Sequence, residues 1–205
     1  MTIKGIIGKK LGMSTIYDDD GKVQPVTVIQ AGPCTVTQVK TLDNDGYNAV
    51  QIGFSEVKKI NSPQAGHQER SGSKFSTLQE FEVENLDEIE VGQSITSNIF
   101  IDKKSVRVTS TTKGKGFSGG VKRYGFKGGP KTHGQSDRHR AVGAIGAGSS
   151  PGRVWPGTKM PGQYGNKTAT VKGLKVVKVD VKENILLLKG AVPGYSGATV
   201  RVEIQ

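Results

Sequence analysis

Residues 113–168 constrain this chain more than any other stretch. They hold 11 Lys and Arg against one acid, Asp137, while the other 149 residues hold 18 bases against 17 acids, so nearly the whole formal charge of +11 sits in 56 residues. The same stretch has 15 of the 29 glycines, four of the eight prolines and the only tryptophan, yet only 13 of its residues are apolar. Such a segment cannot bury a core of its own, and it stays disordered unless something outside the chain neutralises and orders it. A polyphosphate surface is the natural counterpart of that charge.

The remaining residues suffice for a β-rich core. Residues 3–17 mix β-branched residues with Gly5, Gly8 and Gly12, and Asp18-Asp-Asp-Gly21 reads as a turn. Residues 23–31 and 34–39 alternate apolar and polar positions on either side of Gly32-Pro33, which predicts two neighbouring strands. A hairpin-like turn at 43–46 leads into a strand over 47–54, and residues 58–78 are polar and irregular, with room for a short helix. Residues 80–90 contain six acids and no base; the run reads as a solvated face, with an RNA-avoiding flank or a contact to a basic neighbour as the functional alternative. Strands at 105–109 and 170–181 flank the basic stretch, and apolar runs at 184–192 and 198–204 complete the set. Short strands separated by turn residues predict a mainly β protein, a closed β-barrel with a long irregular basic extension inserted between two strands. The expected division is a core of residues 1–112 and 169–205, with a polar and acidic insertion at about 58–104, and an extension of 113–168.

Several function classes fall away. No apolar run approaches the roughly 18 residues of a membrane span, and the N-terminus lacks the apolar core of a signal peptide, so the expected compartment is the cytoplasm or an organellar matrix. Cys34 is the only cysteine, which leaves no intrachain disulfide and no cysteine-based zinc cage. Gly114-Lys-Gly116-Phe-Ser-Gly119 matches a dinucleotide fingerprint, with Asp137 about 20 residues on, but the glycines at 120, 125, 128, 129 and 134 speak against the helix such a site requires. Two stretches with P-loop spacing, 120–125 and 157–162, lack the Lys and hydroxyl that should follow. His133 and His139 are short of partners for a metal, and Ser136, Asp137 and His139 crowd a triad's residue types into one loop. An enzyme would need one of these to hold a nucleotide or metal. A module for acidic proteins or anionic membranes is the other alternative, without an amphipathic helix to support the membrane version.

Surface bases are normally interleaved with acids; here they are interleaved with Phe117, Tyr124, Phe126, Trp155 and Tyr164. That pattern predicts an RNA-binding loop in which cations meet phosphates and aromatics, Trp155 above all, stack. The candidate cations are Lys113, Lys115, Lys122, Arg123, Lys127 and Lys131 in the first half. Arg138, Arg140, Arg153, Lys159 and Lys167 follow in the second, with His133 and His139 as imidazoles beside them. Gly114, Gly116, Gly143, Gly146, Gly148 and Gly162 would let bare backbone approach sugar edges, so that the loop reads RNA shape rather than linear sequence.

The residues also carry a family resemblance. It rests on Gly5-Ile-Ile-Gly8-Lys-Lys-Leu-Gly12-Met13, on Asp45-Gly-Tyr-Asn-Ala-Val-Gln-Ile-Gly53, and most strongly on Lys113-Gly-Lys-Gly116-Phe-Ser-Gly119, Gly129-Pro130, His133-Gly134 and His139-Arg140 with Gly143. Pro151-Gly-Arg-Val154, Gly157, Met160, Gly162, Gly165 and Lys189-Gly-Ala-Val-Pro-Gly194 continue it. From end to end the chain resembles the bacterial large-subunit ribosomal protein three family. The resemblance implies a barrel similar to the second domain of translation elongation factors and an extension running through the large rRNA toward the peptidyl-transferase region, with residues 149–155 near its tip. It implies a structural, non-catalytic protein that binds large-subunit rRNA early in assembly and neighbours other large-subunit ribosomal proteins. No membrane, small-molecule substrate or cofactor is implied, and any structural magnesium would belong to the rRNA. Two departures stand out: residues 146–151 lack the glutamine that is methylated in many members, so no such modification is expected, and Trp155 stands where Phe or Tyr is more usual.

Overall fold

A computed structural model of the chain describes residues 3–18, 20–86, 89–101 and 104–205. Its compact units are Met1–Thr112 with Thr168–Gln205, and Lys113–Lys167. Thr168, counted with the extension on sequence, is the register partner of Thr111 and belongs to the first unit.

The described residues form twelve strands: β1 (Gly5–Tyr17), β2 (Val23–Ala31), β3 (Cys34–Lys40), β4 (Ala49–Glu56), β5 (Phe75–Glu82), β6 (Ser94–Ile95), β7 (Ser105–Thr111), β8 (Phe117–Ser118), β9 (Gly162–Gln163), β10 (Thr168–Asp180), β11 (Ile185–Lys189) and β12 (Thr199–Ile204). Six of them close into an antiparallel barrel in the order β1-β12-β7-β10-β11-β2. Its centre is filled by the inward member of each alternation: Ile6, Ile29, Val106, Val108, Leu186, Leu188, Val200 and Val202 are all fully buried. A six-stranded closure is narrow enough that branched aliphatic side chains occupy it completely. Beyond Lys10, β1 pairs with β2 alone, and this arm leaves Met13, Tyr17 and Val23 exposed.

The strand at 34–40 does not neighbour β2 in the barrel. Pro33 has no N–H to donate, so the ladder stops there, and β3 joins a second sheet ordered β5-β4-β3-β6. Much of the region expected to be irregular is therefore ordered. The first part of the acidic run is the end of β5, where Glu80 pairs with Lys40 at 2.9 Å, and Glu84 beyond it pairs with Lys4; Asp87 and Glu88 lie outside the described residues. The short helix expected between 58 and 78 is α2 (Ser62–Gln68), and the expected hairpin turn at 43–46 is a single helical turn, α1 (Leu42–Asp45), closed at Gly46. Gln68, buried at the end of α2, gives its amide N–H to Phe75 O at 3.2 Å and accepts Phe75 N–H at 2.6 Å, so a side chain stands in for a strand beside the start of β5. Ile52, Val50, Val36 and Phe81 of the second sheet share one apolar cluster with the barrel residues.

On the barrel's outer face Glu203 receives Arg107 at 2.9 and 3.1 Å and Arg201 at 2.8 Å. Burial pushes the Glu203 carboxyl up, but the two guanidiniums outweigh it and hold the group below its ordinary range.

Candidate nucleic-acid interface

Within the unit Lys113–Lys167 only Ser118 and Gly120 are buried. The unit is instead held by backbone pairing and cation–ring contacts. Its two ends run side by side: Lys115 N–H donates to Tyr164 O and Tyr164 N–H to Gly116 O, each at 2.9 Å, and β8 pairs with β9 through Phe117 with Gln163 and Ser118 with Gly162. At this neck Gly165 has φ +71°, and a Cβ there would overlap the Lys113 carbonyl oxygen, so the close crossing requires glycine. The Lys115 ammonium lies 4.6 Å from the centroid of Tyr164.

A short helix, α3 (Gly120–Tyr124), follows, although the glycines argued against any helix here. Five residues cannot sustain a helix alone; the support is tertiary. Gly120 packs against Phe126 and Val142, while Tyr124 and Phe126 stack at 5.9 Å. Arg123 donates from one guanidinium nitrogen to Met160 O at 2.6 Å and lies 4.9 Å from the Tyr124 ring. Arg123, expected to meet phosphate, is half-buried and also ties α3 to the segment at Met160, and the space where a Gly162 side chain would stand is filled by its guanidinium. Nothing in the local sequence marks Met160 as the partner, because only its backbone carbonyl takes part.

Further along, the segments 126–131 and 138–143 cross, joined by Gly129 N–H to His139 O at 2.9 Å. His139 Nδ1 lies 3.0 Å from Pro130 O. A carbonyl only accepts, so Nδ1 carries the proton and Nε2 is left for another partner. The same bond removes His139 from a triad, since its ring is held by neither Ser136 nor Asp137. Concavities of about 450 and 490 Å³ flank the crossing. Phe126, Lys127, Arg138 and Val142 line the first, and Val121, Lys127, Lys131, His139 and Arg140 the second. Cations converge on an apolar floor with no carboxylate among them. Among the described residues no group of three or more His, Cys, Asp or Glu is placed to hold a metal.

The remaining candidates face outward. Lys113, Lys115, Lys122, Lys127, Lys131, His133, Arg138, Arg140, Arg153, Trp155, Lys159 and Lys167 are exposed; only Arg123 and His139 are half-buried. Trp155 is 56% exposed under the guanidinium of Arg153 at 4.9 Å, and its carbonyl accepts the Thr158 hydroxyl at 2.6 Å. The indole is therefore presented rather than packed. Around Gly116, Gly143 and Gly148 there is open space, Gly114 and Gly146 make only ordinary contacts, and Gly162 is the one glycine of that group already occupied from within. The arrangement offers distributed positive charge, an exposed aromatic and bare backbone, which is what a folded polyanion requires.

A family model described as Ribosomal protein L3 matches residues 67–183. The chain is 50% identical over 204 residues to the large ribosomal subunit protein uL3 of Corynebacterium jeikeium, covering 98% of this chain and 94% of that one. It is 51% identical over 201 residues to uL3 of Synechococcus sp. (97% and 93% covered) and 50% identical over 201 residues to uL3 of Thermosipho africanus (98% and 97%).

Proposed function

The chain belongs to the ribosomal protein L3 family, and on that premise we propose that it is held in the large ribosomal subunit by direct contact between residues 113–167 and large-subunit rRNA. Proteins of this family are structural constituents of the ribosome, and that is this chain's place. The observation that carries the RNA reading is the segregation of charge: 11 bases with one acid, nearly all exposed, in a unit with almost no buried side chains. In this proposal the exposed cations neutralise phosphates, Trp155 stacks on a base and the open glycines admit the sugar backbone. No catalytic step, cofactor or small-molecule substrate is assigned to the chain; magnesium enters only with the RNA, and the remaining partners are neighbouring large-subunit proteins. Binding takes place early in assembly, and residues 149–155 reach toward the peptidyl-transferase region.

The test is a salt titration of binding to large-subunit rRNA with Arg138→Gln/Arg140→Gln in the full chain. Each phosphate contact contributes about 0.9 to the slope of log affinity against log salt, so the slope should fall by about 2. The melting temperature of the barrel should not move. A variant that melts lower while binding rRNA unchanged would refute the reading. A hydroxyl-radical source tethered beside Trp155 tests the reach: cleavage confined to rRNA far from the peptidyl-transferase region would remove it.

A further inference from the structure

The barrel carries a second basic surface on β10, outside the Lys113–Lys167 unit. Lys172, Lys175 and Lys178 are three residues apart, so in an unbroken strand Lys175 would point away from the other two. All three are nevertheless exposed. The register explains it. Between Val171 and Leu174 the strand advances three residues while its partner β7 advances two, from Val108 to Val106. Between Val176 and Lys178 it advances two while β11 advances one, from Leu188 to Leu187. Each extra residue resets the alternation. The first sits at Gly173, whose φ of +70° is the glycine conformation such a bulge uses. As a result Val171, Leu174, Val176 and Val179 all pack on the core while the three lysines share the outer face.

Among the described residues none of these ammoniums has an ion pair or hydrogen bond within the chain. The nearest acid along the strand, Asp180, is engaged by the backbone N–H groups of Lys182 and Glu183 at 3.0 and 3.3 Å. The exposed residues between the lysines, Gly173 and Val177, offer no aromatic anchor. A protein interface is depleted of lysine at its centre and built on aromatic or arginine anchors. Point charges at even spacing on a rigid strand, over about 13 Å once the two inserted residues are left out of the usual rise per residue, suit a line of phosphates instead.

We propose that Lys172, Lys175 and Lys178 form a second, barrel-borne contact to the sugar–phosphate backbone of helical RNA, independent of the extension. The inference rests on the reading of the chain as an rRNA-binding protein and adds a site to it.

The experiment compares three full-length variants in salt-titrated binding and hydroxyl-radical footprinting on large-subunit rRNA. They are Lys172→Gln/Lys175→Gln/Lys178→Gln, the extension variant Arg138→Gln/Arg140→Gln, and a control of equal charge loss on exposed positions outside the barrel strands, Lys58→Gln/Lys59→Gln/Lys74→Gln. The β10 variant should lower the salt slope by about 2 to 3 and lose protection at nucleotides that the extension variant leaves protected, while the control retains the parental slope and footprint. Arginine at the three β10 positions should restore both. If the control flattens the slope as much as the β10 variant, the effect is net charge and the proposal fails. An unchanged slope in the β10 variant beside a reduced one in the extension variant overturns the proposal and leaves the extension reading intact; no change in either removes both. A β10 variant that binds rRNA normally but fails to join subunits reconstituted with the other large-subunit proteins would assign the strip to a protein neighbour and overturn it as well.

Discussion

Replacing Arg123 separates two roles that charge alone confuses. Its guanidinium gives a 2.6 Å hydrogen bond to the Met160 carbonyl and lies over Tyr124, bracing a five-residue helix too short to hold itself. A hydrogen bond from a charged group contributes about 1.5–3 kcal/mol, and an exposed cation–ring contact about 0.5–1 kcal/mol. Arg123 is half-buried, so the lower ends apply, and Arg123→Gln should cost the loop about 2 kcal/mol, or roughly thirtyfold in its opening equilibrium. Native-state hydrogen exchange reads this at Gly125, whose N–H is bonded to Val121 O at 3.0 Å, and at Tyr164, bonded to Gly116 O at 2.9 Å. Both amides should exchange faster by that factor, with barrel amides unaffected. Arg123→Lys keeps the charge but loses the planar fork, so it should loosen the same amides and leave the salt slope of rRNA binding unchanged. If Arg123→Gln instead lowers that slope by about one with exchange unaltered, Arg123 is a phosphate contact and the strut argument is wrong.

Other consequences follow from the barrel. Leu188→Ala empties a fully buried position and should cost about 2–5 kcal/mol, near 10 °C in Tm for a chain this size, without altering the salt slope of rRNA binding. Because the folded carboxyl of Glu203 titrates below its ordinary value of 4.5, the stability it contributes is present above that value and is lost as pH falls through the lower folded one. Urea midpoints between pH 7 and 3 should therefore decline less steeply in Glu203→Gln than in the parent; parallel curves would refute the linkage. Burial pushes the Cys34 thiol up to about 12, so an aromatic disulfide reagent at pH 8 should leave it unmodified until denaturant is added.

What the sequence made legible was local. Alternation marked β2, β3 and β4, because burying one face of a strand writes a period of two, while β-branched residues and apolar runs between turns marked β1, β7, β10, β11 and β12. Pairing is not written that way. β3 has the same signature as β2, and only the missing donor at Pro33 hints that the chain changes sheets. β5 was hidden by its acids: a strand with Glu80 and Glu82 beside buried Phe81 looks like a solvated run until Lys40 is brought opposite. In the extension, charge and glycine density marked the candidate cations, and all of the lysines and arginines among them are exposed except Arg123. Its partner is a backbone atom 37 residues away, which leaves no mark in side-chain chemistry. The β10 lysines leave no mark for a different reason, since spacing by three looks like scatter unless the two inserted residues are known.

Thr111 and Thr168 face each other across one ladder, and that pairing gives the barrel an unusual tolerance. The 56 positions between them open and close at a single rung, so to the sheet they are one hairpin loop of arbitrary size. Closing such a loop costs only about 0.6 kcal/mol more for each doubling of its length. The excursion can thus lengthen, shorten or be exchanged to match the depth of whatever it enters, while strand order, register and core are inherited unchanged. A graft of another chain's loop between these two threonines should fold on the same barrel.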